Sequence, residues 1–260
     1  MSSGARWLGA LPRHRARREV AGPRRARARR RSRGRDGAVG FAVATGAVVA
    51  DGCVRGPLHL VDCTGADHAV VVTPAVAGLV DIAALDDVTV AECLDAPTHL
   101  FTATADAVPL VGAVASADDP LYRRAAVLTA AMLVGIAEAT RDLAAEHARV
   151  RVQFDRPIGV HQAVKHPCAD MAVLGEASWG QSIIAALSHD EEFSDADFQA
   201  ISALVVAGEA AEHNAAQALQ ILGGIGFTQE HDVHLFVTRG HVLRRILGDR
   251  AALLDQLLLV

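Results

Sequence analysis

The chain has 260 residues, enough for one large or two modest domains with a substantial core. Apolar residues make up 51% of it and aromatics only 4%, which suits long helices packed at close range, and no run of 18 apolar residues offers a membrane-spanning helix. The net charge of -5 hides an asymmetry: residues 1–36 carry 13 arginines against Glu19 and Asp36, whereas residues 37–260 sum to -16. Cys53, Cys63, Cys93 and Cys168 are scattered, with no C-x-x-C pair or metal-ligand spacing to a histidine. They read as reduced, small apolar residues of a cytoplasmic protein.

Residues 1–38 form a low-complexity basic segment that buries too little apolar surface to offset its ordering entropy, so disorder is expected. Three readings stay open: phosphate-directed nucleic-acid binding, an Arg-rich presequence, or an artefact of a wrong start or frame shift, the last preferred. Only Trp7 interleaves the arginines, which argues against nucleic acid. Residues 39–115 read as β structure. Short valine-rich or alternating runs predict strands at Ala47–Ala50, Leu58–Cys63, Ala69–Thr73, Ala77–Ile82, Val88–Ala91 and Leu100–Ala103, parted by turn residues such as Asp51-Gly52, Gly65 and Pro74.

Residues 116–260 read as helices. Apolar residues near a 3.6 period predict one helix from Leu121 to about Gln153. A second is expected from Val160 to Leu187, kinked at Pro167. A third starts at Ser194, with Ser194 as cap and Phe193 stapling onto Phe198, and ends at Gly223-Gly224. A fourth covers about Glu230 to Leu247, and Gly248 separates it from a last short helix over Ala251–Leu259. The predicted class is α+β: a C-terminal antiparallel four-helix bundle preceded by a partial β-domain and a disordered basic N-terminus.

Three signatures follow in fixed order: Arg151-Val-Gln-Phe-Asp-Arg-Pro-Ile-Gly159, His161-Gln-Ala-Val-Lys-His166, and Gln220-Ile-Leu-Gly-Gly-Ile-Gly-Phe-Thr228 with Glu230-His-Asp-Val-His234. Together they resemble the C-terminal helical domain of acyl-CoA dehydrogenases, and residues 39–112 resemble the second half of that family's middle β-domain. The resemblance implies FAD as cofactor and an oligomer in which this domain holds part of a neighbouring subunit's FAD. It places Arg151, Gln153, Phe154, His161 and Gln162 against the adenosine diphosphate part. It places Gln220, Gly223 and Gly224 in the loop that closes over a partner's cofactor. Arginine supplies charge-assisted donors to pyrophosphate, and glycines let backbone N–H groups approach.

The catalytic residue is another matter. Removing the α-proton of an acyl-CoA thioester needs a positioned carboxylate. The family's usual glutamate falls on Gly248 and the minority position on Ala125, so no catalytic base is assigned. Asp249 is a poor replacement, being shorter and out of register. Arg124, with Arg123, lies beside the substrate-facing position and is the candidate substrate contact. His231 and His234 share a helix face but match the family's helix start, so no metal site is assigned. The family's N-terminal helical domain, and the tryptophan- and threonine-containing segments that hold the flavin ring, find no match. The expected function is FAD-dependent oxidation of a fatty or steroid side-chain acyl-CoA, in a homo- or hetero-oligomer with another such subunit. The alternatives are a non-catalytic partner subunit or an inactive truncated product.

Overall fold

A computed structural model describes residues 39–44 and 46–259. The basic segment 1–38, expected to be disordered, lies outside them.

Eight strands form one sheet: β1 (Val39–Val43), β2 (Val48–Ala50), β3 (Cys53–Val61), β4 (His68–Val72), β5 (Val76–Asp81), β6 (Asp86–Ala91), β7 (Leu100–Pro109) and β8 (Gly112–Ala115). The order is β6-β7-β3-β1-β4-β5-β8, with β2 added on β3. All pairs are antiparallel except β1 with β4. Alternation sets the buried face: Ala69 and Val71 of β4, and Leu58 and Leu60 of β3, point into one core with Val80 and Ala103.

Six strands fall near the expected runs. Two differ in kind. β1 and β8 are short and rich in small residues, and β8 is exposed throughout, so neither shows an alternating pattern. β3 also starts earlier than expected and runs through Gly56 and Pro57, where the register against β7 shifts between Val54 and Gly56.

The helical part contains α1 (Leu121–Val150), α2 (Gln162–Asp190), α3 (Ala196–Leu222), α4 (Val233–Leu243) and α5 (Arg250–Leu257). Ala126, Ala130 and Leu133 of α1 meet Ala200, Ala203, Leu204, Ala207 and Ala211 of α3. Alanines at helical spacing let the two axes approach closely. Asn214 is fully buried on α3, and its Nδ2 donates to the carbonyls of Ala137 at 2.9 Å and Met171 at 3.0 Å. One amide thereby ties α3 to α1 and α2.

Several boundaries move. Ser194 does not cap α3; Asp195 holds that position without a side-chain cap bond, because its carboxylate accepts from Gln199 Nε2 at 2.8 Å. Phe193 and Phe198 are both substantially exposed. α2 continues through Pro167, which sits in its second turn and withdraws only the N–H owed to the Ala163 carbonyl. α4 is shorter than expected. His231 Nδ1 accepts the Val233 N–H at its start, and residues 244–247 form turns after its end.

The sheet meets the helices through a buried carboxylate. Asp95, in the β6–β7 connection, accepts from Arg239 Nε of α4 at 2.8 Å and from Thr98 Oγ1 at 2.5 Å, with its side chain 2% exposed.

Candidate functional site

α1 ends with His147 and Arg149 in its last turn, and the Arg149 cation complements the helix dipole. Arg151 caps it in extended conformation, and its carbonyl accepts the Ile158 N–H at 2.8 Å. Between those two residues lies a two-residue hairpin, β9 (Val152–Gln153) paired with β10 (Arg156–Pro157). Its tip residues Phe154 and Asp155 have φ of 53° and 59°. Consecutive positive φ is the type I′ geometry that favours Asn-Gly, so Phe-Asp here carries strain of about 1–3 kcal/mol per residue. Phe154 is 86% exposed at that tip.

The chain then turns tightly onto α1. A side chain on Gly159 would put its Cβ 2.8 Å from the Ala148 carbonyl oxygen, so only glycine permits this approach. His161 follows as the N-cap of α2, and its Nε2 is buried with no hydrogen-bond partner. A buried, unpaired imidazole nitrogen is costly and calls for a ligand group or water.

These elements enclose an open pocket of about 390 Å³ lined by Gln153, Phe154, Ile158, His161, Gln217 and Gln220, among others. Four of the eight residues assigned to FAD therefore converge. Arg151, Gln162, Gly223 and Gly224 do not line this pocket. Arg151 and Gln162 are exposed beside it. Gly223 ends α3 at φ 63°, and a Cβ at Gly223 or Gly224 would meet nothing within 4 Å, so the backbone there is open to approach. Gln217 was missed; its signal was its position one helical turn before Gln220 on α3.

His147 lies near this end of the bundle. Burial, then the charges of Arg151 and His231, push its imidazole below the ordinary value near 6.5. His234 Nδ1–H donates to the His231 carbonyl at 2.8 Å, so His231 and His234 both serve the loop that starts α4. Among the described residues no group of three His, Cys, Asp or Glu side chains could hold a metal.

The base positions lie elsewhere. Gly248 has φ 135°, a conformation L side chains rarely adopt. It lines a cavity of about 560 Å³ with Tyr122, Pro74 and Gln256. Asp249 also lines it, but Asp249 Oδ1 accepts the Ala252 N–H at 2.8 Å and caps α5. That hydrogen bond fixes the carboxylate on the α5 backbone. The Tyr122 hydroxyl stands 3.1 Å from both the Leu247 carbonyl and Gln256 Oε1, anchoring the turn before Gly248. Burial raises the Tyr122 phenol above its ordinary range, only partly offset by the Gln256 hydrogen bond. Ala125 is half-buried on α1. Arg124 is engaged by Asp119 at 2.9 Å on the surface, and Arg123 by Asp197 at 2.6 Å.

The fold recurs in known proteins. A family model described as "Acyl-CoA dehydrogenase, C-terminal domain" matches residues 98–258. The chain belongs to the acyl-CoA dehydrogenase family. Acyl-CoA dehydrogenase FadE34 of Mycobacterium tuberculosis is 43% identical over 129 residues, covering 48% of this chain and 18% of that protein. Acyl-CoA dehydrogenase IpdE2 of the same organism is 38% identical over 140 residues, covering 54% of this chain and 42% of that protein. The chain thus matches less than half the length of either relative. Among solved structures, a variant of the Tcur3481-Tcur3483 steroid ACAD superposes with a TM-score of 0.71 at 26% identity, over 81% of this chain and 60% of that one. Butyryl-CoA dehydrogenase from Megasphaera elsdenii shares the fold, with a TM-score of 0.67 at 19% identity over 85% of this chain and 67% of that one.

Proposed function

We propose that this chain works in the FAD-dependent oxidation of an acyl-CoA thioester, with a fatty or steroid side-chain acyl group, by holding the adenosine diphosphate end of FAD at an interface with a second dehydrogenase-like subunit. In this reading residues 39–115 serve as part of a middle β-domain and residues 116–260 as the C-terminal helical domain. The observation that carries it is the pocket where Gln153, Phe154, His161 and Gln220 meet around an unpartnered His161 Nε2. The residues fit a dinucleotide end. The carboxamides of Gln153 and Gln220 suit base and ribose edges, and the bare Phe154 ring offers a stacking face. Arg151 brings charge toward a pyrophosphate, the open backbone at Gly223 and Gly224 brings N–H donors, and Gln162 starts a helix whose first N–H groups are free to donate. FAD, when bound, supplies the hydride acceptor. The steroid option rests on the solved steroid ACAD relative.

One observation favours a non-catalytic role within such an assembly. Gly248 is held at φ 135°, Asp249 is engaged as a helix cap, and Ala125 carries no proton acceptor. The partner subunit then provides the base, and Arg124, once released from Asp119, is the substrate contact from this side. The test is co-purification with a dehydrogenase-like subunit and a flavin absorbance spectrum. Flavin retained only by the mixed sample is expected. Flavin and turnover in this chain alone would overturn the partner-subunit reading. Gly248→Glu in the assembly is expected to lower thermal stability and add no turnover, because the backbone there disfavours any side chain; new turnover would show an intact site and count against that reading.

A further inference from the structure

α2 carries two rows of residues at heptad spacing. Met171, Gly175, Ser178, Ser182 and Ala185 follow one another at steps of four and three, and all are buried against the bundle. Val173, Ala177, Gly180, Ile184 and Leu187 repeat the same steps two places on, which turns them to the opposite side of the helix, and all are exposed. A row at that spacing is the seam along which one helix packs on another. Between Val173 and Leu187 the one charged side chain is Glu176.

The outer row also has a shape. Its middle is small, with Ala177 and Gly180, and Ile184 and Leu187 beyond them are large. A Cβ on Gly180 would meet nothing within 4 Å. Glycine is a poor helix former, and nothing within the chain uses the space it leaves. Set antiparallel on a copy of itself, the row puts Gly180 opposite the partner's Ile184 and Ala177 opposite the partner's Leu187, and the reverse. Small then meets large at each layer.

Charge fixes the direction. Arg151, Arg156 and Lys165 stand exposed around the start of α2, and Asp190, Glu191, Glu192 and Asp195 stand exposed at its end. Among the described residues none of them forms an ion pair. An antiparallel pair brings the basic end of each helix to the acidic end of the other, whereas a parallel pair sets like charge on like.

We infer that the outer face of α2 is a self-association surface, on which α2 of a second copy of this chain packs antiparallel with Gly180 at the crossing. The inference stands apart from the cofactor reading. Val164 and Pro167 line that pocket together with Gln217 and Gln220, on the side of α2 that meets α3.

The experiment is sedimentation equilibrium of the full chain over a range of concentrations, with thermal melts of each variant. The wild type is expected to dimerise. Gly180→Leu fills the notch and is expected to raise the dimer Kd at least about tenfold, the scale of a central interface residue, without lowering the melting temperature of the dilute chain. Adding Ile184→Ala moves the notch by one layer, and the double variant is expected to recover most of the lost affinity. Lys165→Glu is expected to weaken the dimer roughly two- to fivefold at low salt and less at high salt. A wild type that stays monomeric at every concentration overturns the inference. So does a dimer that Gly180→Leu leaves intact, or a Gly180→Leu chain that unfolds early, since the notch is then filled within the chain. A chain that is monomeric alone and pairs through Gly180 only with a different dehydrogenase-like subunit overturns the second copy as occupant.

Discussion

α2 and α3 have nearly the same length and opposite habits. α3 turns Ala200, Ile201, Leu204, Ala207 and Ala211 inward, against α1. α2 faces the bundle with Gly175, Ser178, Ser182, Ala185 and Ser188, keeping Met171 as its one large buried side chain. Its large apolar groups point away: Val173, Trp179, Ile183, Ile184 and Leu187 are 41–67% exposed. A contiguous row of large apolar side chains facing outward marks a surface that another chain can cover. α2 thus leaves its large apolar side uncovered within the chain, whereas α3 buries its own. In the assembly proposed above, that cover is the second subunit.

The contrast can be broken by substitution. The largest effect is expected inside α3: Leu204→Ala should cost about 2–5 kcal/mol in denaturant unfolding. A cost matching that of an exposed site would mean that α1 and α3 do not form the core. Asn214→Ala should come next, at about 1–3 kcal/mol, because the carbonyls of Ala137 and Met171 lose their shared donor. Asp249→Ala, which removes the α5 cap and leaves both helices alone, should cost about 1 kcal/mol and serves as the reference for a local loss. Ile184→Ser on the outer face of α2 should change stability of the isolated chain by less than about 0.5 kcal/mol, yet weaken association with a partner subunit in sedimentation. An Ile184→Ser chain as unstable as Leu204→Ala would erase the distinction.

A last, smaller effect concerns pH. Because His147 is held below its ordinary value in the folded chain, the unfolded chain takes up a proton first as pH falls. Its contribution to stability is thus fully present above about pH 6.5 and is lost as pH drops through the folded value. Thermal melts from pH 7.5 to 5.5 should show a smaller decline in His147→Gln than in the wild type.

α1 and α3 were legible in the sequence because their apolar spacing has one period and one buried face. The mixed α+β class and the family signatures were legible for a similar reason, since each rests on local order. α2 was placed correctly as a helix, but its bare outer face was not foreseen, because its small residues, not its large apolar ones, face the bundle. β1 was missed since its partners, β3 and β4, come from later in the chain and it lacks alternation of its own. The hairpin at Phe154-Asp155 went unread as a turn because neither residue favours positive φ. The convergence of Gln153, Phe154, His161 and Gln220 joins three elements and is visible only in three dimensions. Arg124 illustrates the opposite case: its place on α1 was clear, but the pairing with Asp119 was not.

β1 has the position of a keystone. It is the first described strand, yet it lies between β3 and β4 and, among the described residues, is the only strand linking the β6-β7-β3 half to the β4-β5-β8 half of the sheet. During synthesis it emerges early and has no partner until β3, and then β4, have followed. The sheet therefore closes only once β4 has followed, and the bundle waits longer still, because α1 packs against α3 and Asn214 bonds the Ala137 carbonyl across a separation of 77 residues. Trimming the chain past Val43 would cut the sheet into two sets of strands and expose an unpaired edge on each.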